Sequence, residues 1–327
     1  MGENTATGIR TKAAAHQRGS SLIPTLLFGA LGIAPLLAHL GPEGYILSLL
    51  TRVMIFALAA VSLDLILGLG GLISFGHAAF LGIGAYSVAI LTAHGIEDGL
   101  AHIVVALGAS ALFALATGAI SLRTKGVYFI MITLAFGQML FFVATSLAPY
   151  GGDDGMTLPS RSALFGANPL AGGRVFYYVV FACLLLGYLL CRAVASSRFG
   201  RVLRGTRENA VRMQAIGFNP SAFQLVAYVI AGMLCSVAGV LLANQAEFVS
   251  PAYMTWQRSG DLIFMTVLGG LGTLNGAIVG GAAFLLLEEF LSDATEHWRM
   301  IFGPLLIFVV IFARGGIMGL VNPRRHG

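Results

Sequence analysis

Long apolar runs separated by short polar segments repeat along the whole chain. A helix of about 20 apolar residues matches the ~30 Å hydrocarbon core of a bilayer. Runs of this kind fall at about 22–40, 45–67, 72–93, 101–122, 127–147, 174–195, 222–244, 259–274, 277–293 and 299–314. The pattern predicts an all-α, polytopic integral membrane protein with about 10 transmembrane helices, although the short runs within 259–293 leave room for a re-entrant segment.

The positions of the basic residues predict the orientation. An even number of crossings places both termini on one side, and the polar segments on that side carry most of the 19 Lys and Arg residues. By the positive-inside rule that side is cytoplasmic. We therefore expect a disordered cytoplasmic tail at 1–20, a transmembrane domain at 21–314 with an outer loop at 148–173 and a cytoplasmic loop at 196–221, and a cytoplasmic tail at 315–327.

Composition excludes several other classes of protein. The 327 residues are 57% hydrophobic and only 10% charged, whereas about a quarter of a soluble protein is charged. The net charge of +5 does not indicate nucleic-acid binding, because the basic residues cluster between apolar runs. The three cysteines lie in apolar segments and predict neither a disulfide framework nor a metal site. Gly200–Thr206 lacks the lysine of a phosphate-binding loop, and no catalytic motif is found.

The cytoplasmic loop 196–221 contains the densest group of charges. It contains five arginines, at 198, 201, 204, 207 and 212, and one acidic residue, Glu208. Thr206 is a suitable helix cap, and Gly217 followed by Pro220 ends a helix, so we predict a helix at Arg207–Ile216. Isolated helices of this length are marginal in water, which indicates docking on a partner. The alternative is a solvated basic loop that only sets the topology.

The stretch Leu63–Tyr86 is rich in glycine and holds most of our candidates for a translocation path. Asp64 is an ionisable residue inside an apolar run, which by default suggests a function. The alternative is that Asp64 caps a broken helix or pairs with an arginine. We predict that Ser74 and His77 lie one helical turn apart and share a face. The candidates in and around this stretch are Asp64, Gly70, Gly71, Ser74 and His77, and more distant ones are Gln138 and Asp261.

A possible internal repeat links the two halves of the chain. Gly70–Gly71–Leu72 and Gly269–Gly270–Leu271 each separate an inward from an outward apolar run. Paired, glycine-broken helices are typical of the repeated halves of transporters. We therefore predict two pseudo-repeats with glycine-broken helices, although 43 glycines also make chance similarity easy.

Five motifs, in this order, resemble the membrane permease subunits of branched-chain amino acid ABC importers, the hydrophobic amino acid uptake family. The motifs are Leu63–Tyr86, Lys125–Gln138, Gly151–Met156, Ser197–Phe218 and Val267–Gly281. The resemblance extends from about residue 45 to 320. It implies a bacterial inner-membrane importer made of two permease subunits, of which the second is a different homologous chain. It also implies two cytoplasmic ATPase subunits and a periplasmic solute-binding protein.

The same resemblance implies a mechanism for the chain. The segment that matches Arg207–Gly217 is the coupling helix that docks on the ATPase, and ATP-driven alternating access moves the solute. Glu208, Asn209 and Arg212 would be polar docking contacts, and Val211, Met213 and Ile216 the buried anchors. The chain itself is expected to have no catalytic activity, metal or cofactor, since ATP and Mg would bind to the ATPase.

Some residues depart from the family pattern and leave the substrate open. Asp64 stands where the family commonly has Asn, and Leu69 and Leu72 replace an aromatic residue and a Gln. Asp153 stands where a smaller neutral residue is usual. The solute is expected to be a branched-chain amino acid or a related urea, amide or carboxylic acid. The alternatives from other classes are a secondary transporter driven by an ion gradient and an integral membrane enzyme.

Overall fold

A computed structural model of the chain describes residues 24, 26–35, 43–163, 172–294, 297, 300–304, 307 and 315–321, and these are almost entirely helical. The helices are α1 (Leu26–Pro35), α2 (Glu43–Asp64), α3 (Ala78–Ala93), α4 (Gly99–Ser121), α5 (Val127–Ser146), α6 (Gly173–Ser196), α7 (Arg198–Glu208), α8 (Ala210–Ala215), α9 (Pro220–Ala246), α10 (Trp256–Gly269), α11 (Leu274–Ala294) and α12 (Gly316–Val321). A π-helix, Leu65–Leu69, continues α2, and 3-10 turns lie at Ala148–Tyr150 and Pro251–Met254. Residues 1–47 and 48–327 form separate compact units.

Within the described residues, six helices are long and apolar enough to cross a membrane. They are Glu43–Leu69, Gly99–Ser121, Val127–Ser146, Gly173–Ser196, Pro220–Ala246 and Leu274–Asp293. This confirms the prediction of an all-helical, polytopic membrane protein. The described residues cover only parts of the predicted spans at 22–40 and 299–314, so the count of ten stays a prediction. The predicted tail at 1–20 lies outside the described residues, and the tail at 315–327 is described only for 315–321.

The centre of the second unit is the contact of α9 with α3 and α4. Glycines bring α3 and α9 together, because a Cβ at Gly84 would collide with the carbonyl of Ser236 and a Cβ at Gly239 with that of Leu81. Phe80 fills the space beside them and meets Phe113 and Tyr228 edge-on, with ring centroids 5.6 Å apart in both pairs. Small residues at a helix crossing permit this close approach in membrane proteins.

The predicted span at 72–93 is wrong at its start, because residues 70–77 are not helical and α3 begins at Ala78. Gly71 has a φ of +69°, which turns the chain away from the π-helix. Side chains of other helices satisfy the backbone of this break. Thr133 Oγ1 accepts from the N–H of Phe75 at 3.3 Å, and Ser259 Oγ accepts from that of Ala78 at 3.0 Å.

A second break separates α10 from α11. α10 ends at Gly269, and Gly270 and Gly272 have φ values of +115° and +75° before α11 begins at Leu274. The chain therefore contains two segments in which a glycine break separates two helices: α2 with its π-helix from α3, and α10 from α11. With only 16 and 14 residues, α3 and α10 are shorter than a full span. The pseudo-repeat itself stays a prediction.

The loop after α5 packs against the end of α9. Strand β1 (Met156–Thr157) pairs antiparallel with β2 (Phe248–Val249). Beyond it, the N–H of Leu158 donates to the carbonyl of Glu247 at 2.8 Å, and the N–H of Ser162 donates to Asn244 Oδ1 at 2.6 Å. Residues 164–171 of the predicted outer loop lie outside the described part of the chain.

Candidate coupling and hinge site

The basic loop after α6 folds into two helices joined at Asn209, so the predicted single helix Arg207–Ile216 is wrong. Asn209 has an extended backbone between α7 and α8, and its Oδ1 accepts from the N–H of Arg212 at 2.9 Å. Thr206 caps no helix, because it is buried within α7 and its hydroxyl donates to the carbonyl of Val202 at 2.9 Å. Asn209 is the stronger cap residue and stands three positions before the N–H that it caps.

Helix α7 is amphipathic and lies with its apolar face on the transmembrane helices. Gly200, Val202 and Leu203 are buried, whereas Arg198, Arg201 and Arg204 are exposed. Ser197 begins the helix, and its hydroxyl oxygen accepts from the N–H of Gly200 at 3.2 Å.

Helix α8 leaves an apolar face exposed. Val211 and Ile216 are 71% and 62% exposed. Met213, predicted to be a docking anchor with them, is half-buried instead and packs back on α7, where a Cβ at Gly205 would lie 2.8 Å from its Sδ. Gly217, with a φ of +92°, follows α8 as predicted, and its N–H donates to the carbonyl of Gln214 at 2.9 Å. Two of the three predicted anchors are thus available to a partner.

Arg207 is exposed at the end of α7 and also contacts the first glycine break, while its predicted place on the docking surface stays a prediction. Its Nη1 donates to the carbonyl of Gly68 in the π-helix. Its aliphatic stem covers Gly71, because a Cβ there would lie 2.8 Å from Arg207 Cγ. The fully buried Leu203, one turn earlier on α7, packs on Gly70 in the same way. The two side chains attach α7 to the break.

Asp64 connects the first break to the second. It is 1% exposed at the end of α2, and its Oδ1 accepts from the N–H of Gly272 at 2.8 Å. Its Oδ2 has no hydrogen-bond partner in the described part of the chain, and Arg207 lies close enough to interact with the carboxylate electrostatically. A Cβ at Gly68 would collide with Asp64 Oδ1 and lie 2.5 Å from the nitrogen of Gly272. These contacts favour the alternative in which Asp64 has a structural role.

The prediction that Ser74 and His77 share a helix face is wrong, because both residues are buried in the non-helical break. Ser62 Oγ donates to the carbonyl of Ala59 at 2.7 Å and lies 2.9 Å from His77 Nε2. Since the hydroxyl proton of Ser62 is used, His77 Nε2 is the donor in this contact. The imidazole thereby joins the start of α3 to α2.

Gln138 and Asp261 lie within two residues of groups that meet the first break, since a Cβ at Gly137 would lie 3.2 Å from the Cα of Gly76 and Ser259 accepts from the N–H of Ala78. Gln138 is half-buried in the middle of α5. Asp261 lies near the start of α10, at the opposite end of that helix from the second break, and pairs with Arg258 at 3.4 Å. Arg52 of α2 lies 3.9 Å from both Glu288 and Glu289 of α11.

The described residues contain no group of three His, Cys, Asp or Glu side chains that could hold a metal ion. The described contacts form a connected series. Helix α8, which has exposed apolar side chains, follows α7, α7 contacts the first glycine break, and Asp64 joins that break to the second. Sequence reasoning missed Gly68, Leu203 and Gly272. Only the positions of Gly68 and Gly272 within glycine-rich turns pointed to them.

Comparison with known proteins gives a consistent result. A family model described as branched-chain amino acid transport system / permease component matches residues 45–310. The high-affinity branched-chain amino acid transport system permease protein LivM of Salmonella typhimurium is 26% identical over 298 residues, 84% of this chain and 70% of the relative. LivH of Escherichia coli is 27% identical and BraD of Pseudomonas aeruginosa 26%, each covering 81% of this chain and 91% of the relative. No solved structure matches the chain.

The family match covers most of the chain and agrees with the helical, polytopic fold. Because the matched family is a permease component, it does not assign ATP hydrolysis to this chain, and it argues against a secondary transporter or a membrane enzyme. The chain is a multi-pass membrane protein that belongs to the permease-component family of branched-chain amino acid transport systems.

Proposed function

We propose that this chain is the membrane subunit of an ATP-driven importer in the bacterial inner membrane. It forms half of the translocation path and works by alternating access. Both termini and the 196–221 loop lie in the cytoplasm. The positive-inside distribution of Lys and Arg supports this orientation.

One observation carries the proposal: α8 exposes Val211 and Ile216 directly after a helix that is attached to the glycine break. Exposed apolar side chains on a short helix at the cytoplasmic surface suit a groove on a partner. A cytoplasmic ATPase is the partner that the family implies. Val211 and Ile216 would be its apolar contacts, and the exposed Glu208, Asn209 and Arg212 its polar contacts.

The contacts around Arg207 suggest how ATPase motion reaches the membrane helices. A displacement of α8 moves α7, since only Asn209 separates them. Through Arg207 and Leu203 the displacement reaches the first break, and through Asp64 it reaches the second. Glycine turns absorb such changes at low steric cost. The two breaks are therefore the proposed hinges.

Asp64, Gly70, Ser74 and His77 are buried, and we assign them to the hinge. The exposed Gly71 belongs to it because its φ of +69° turns the chain at the break. Gln138 and Asp261 are only half-buried and remain the candidates for contact with solute. The proposed solute is a branched-chain amino acid, as the names of the relatives state for those proteins, or a related small urea, amide or carboxylic acid.

The similarity to both LivM and LivH supports a heteromeric assembly. The second permease subunit is proposed to be a different, homologous chain, and two ATPase subunits bind the ATP and Mg. A periplasmic solute-binding protein is the proposed partner of the outer surface that residues 148–163 build on the end of α9.

Co-purification tests the proposal. The double variant Val211→Glu/Ile216→Asp is compared with Arg204→Glu, which changes an exposed side chain of α7 away from the apolar face. Loss of two apolar anchors is expected to lower the recovery of the ATPase with the tagged chain about tenfold or more, and the control about twofold or less. Equal recovery with the double variant would exclude docking on α8.

Uptake energetics test the alternative class. ATP depletion is expected to abolish uptake by cells, and a protonophore is expected to leave it intact while ATP is maintained. The opposite pattern would favour a transporter driven by an ion gradient.

A further inference from the structure

A cavity of about 300 Å³ lies between the first glycine break, the α4–α5 loop, the α7–α8 junction and the start of α9. Its volume is at the lower end of the ~300–1,000 Å³ range of small-molecule sites. The mechanism proposed above does not use this space.

One part of the cavity wall is cationic. Lys125 comes from the α4–α5 loop and Arg207 from the end of α7, and none of the described lining residues is acidic. A guanidinium has five N–H donors, and the contact with Gly68 uses one donor nitrogen of Arg207. Asp64 interacts with Arg207 electrostatically but does not line the cavity.

The start of α5 adds to the positive potential there. Gly126, at the N-cap of this 20-residue helix, has no side chain to accept from the first N–H groups. Gly126, Phe129 and Ile130 all line the cavity. The helix dipole therefore reinforces the two side-chain charges at this point.

The remaining wall is mixed, because Thr124, Thr206, Gln214, Ser221 and Gln224 line it beside several apolar residues. Leu72 and Ile73 line it from the break, and Leu122, Phe129 and Ile130 line it from the ends of α4 and α5. A cavity with a cationic part, an apolar part and uncharged polar side chains fits a small polar ligand with a carboxylate and a short aliphatic chain. No side-chain carboxylate in the described lining could pair with a ligand ammonium group.

The geometry points to a cytoplasmic binding site for small aliphatic carboxylates, including the amino acids that the importer would release. A carboxylate between Lys125 and Arg207 ties the α4–α5 loop to the coupling segment, because the two side chains belong to these two elements. Bound ligand therefore holds α7 and α8 in place and slows the ATPase cycle as product accumulates. The cytoplasmic location, the released amino acids and this slowing rest on the proposed function, whereas carboxylate binding rests on the lining residues alone.

The binding test uses the full chain in phosphatidylcholine nanodiscs and three probes of similar shape. 4-Methylpentanoate has only the carboxylate, isopentylamine only the ammonium group, and leucine has both. Equilibrium dialysis is expected to show affinities for leucine and 4-methylpentanoate within about threefold of each other. The affinity for isopentylamine is expected to be lower by about tenfold at least. Equal binding of the acid and the amine would overturn the site.

Matched variants locate the site. Lys125→Gln is expected to weaken the binding of 4-methylpentanoate about fivefold or more, whereas Arg123→Gln removes a charge two residues away that does not line the cavity and keeps the affinity. Unchanged binding in Lys125→Gln would contradict the assignment. If phosphatidylglycerol placed in the nanodiscs displaced 4-methylpentanoate, the cavity would be a site for a lipid headgroup. That result would also overturn the assignment to small carboxylates.

The regulatory step has its own readout in the complete complex. 4-Methylpentanoate on the cytoplasmic side is expected to lower the ATPase rate of the wild-type complex and to have a weaker effect on the Lys125→Gln complex. An unaffected ATPase rate with binding intact would overturn the regulation. Failure of the complex to form would count against the proposed function instead, since binding is measured on the chain alone.

Discussion

Asp64 accepts a hydrogen bond from the backbone of Gly272 at 2.8 Å, although the two residues are 208 positions apart. The contact joins the glycine break after α2 to the break after α10. Because Arg207 also reaches the first break, through Gly68, the coupling segment is connected to both breaks. Motion at one break is therefore expected to affect the other.

Substitutions at Asp64 separate its hydrogen bond from its charge. Asp64→Asn retains an oxygen that can accept from Gly272 and removes a buried carboxylate whose Oδ2 has no hydrogen-bond partner in the described chain. We expect its thermal stability to equal or exceed that of the wild type. Asp64→Ala leaves the N–H of Gly272 without its acceptor, at a cost of about 1–3 kcal/mol. Thermal unfolding of the purified chain measures both, and an unchanged midpoint for Asp64→Ala would refute the contact.

Gly68 permits the approach of the two breaks. Gly68→Ala is expected to destabilise the chain and to abolish uptake, because its Cβ would collide with Asp64 Oδ1 and crowd Gly272. Gly260→Ala is the matched control, since a Cβ there meets nothing within 4 Å. That substitution within α10 is expected to be neutral or to stabilise the helix by about 0.5–1 kcal/mol. Equal stability and uptake in the two variants would show that the breaks need no close contact.

Arg207 is expected to transmit motion without holding the ATPase. Arg207→Met keeps an aliphatic stem against Gly71 and loses the donor to Gly68. The ATPase is expected to co-purify normally, while uptake per ATP hydrolysed in proteoliposomes falls several-fold. Arg204→Met, on the exposed face of α7, is expected to behave as the wild type. Loss of the ATPase in Arg207→Met would instead place Arg207 on the docking surface.

Asn209 sets the angle between α7 and α8. Asn209→Ala removes the cap of α8, which costs about 1 kcal/mol, and it allows α7 to continue through the junction. Asn209→Asp retains an acceptor for the N–H of Arg212. We expect the Ala variant to lower ATPase recovery and the Asp variant to preserve it, as measured by co-purification. The reverse order would show that the cap is not needed.

The helices that hydropathy predicted best are those with continuous apolar runs. The predicted 127–147 and 174–195 correspond closely to α5 and α6 (Val127–Ser146 and Gly173–Ser196), because polar or glycine-rich segments bound both runs. Hydropathy could not detect the break at 70–77, because glycine and leucine keep that segment apolar while Gly71 turns the backbone. The tail at 1–20 lies outside the described residues, and the last predicted span is described only in part, so those predictions were not tested.

The site was predicted less well than the helices, for physical reasons. A short polar segment holds several residues that can cap a helix, and the choice of Asn209 over Thr206 depends on the burial of α7 against the membrane helices. The contact of Arg207 with the carbonyl of Gly68 depends on the same packing. The contact of Asp64 with Gly272 is tertiary, and no local pattern of the sequence encodes it.

Accessibility of Val211 tests the central claim most directly. Val211→Cys is introduced together with Cys183→Ser, since the other two cysteines, Cys191 and Cys235, are buried. A membrane-impermeant maleimide is expected to label this cysteine in inverted vesicles stripped of the ATPase, to label it poorly when the ATPase is bound, and not to label it in intact cells. Labelling in intact cells would place α8 outside the cytoplasm, and equal labelling with and without the ATPase would show that α8 is not the docking surface.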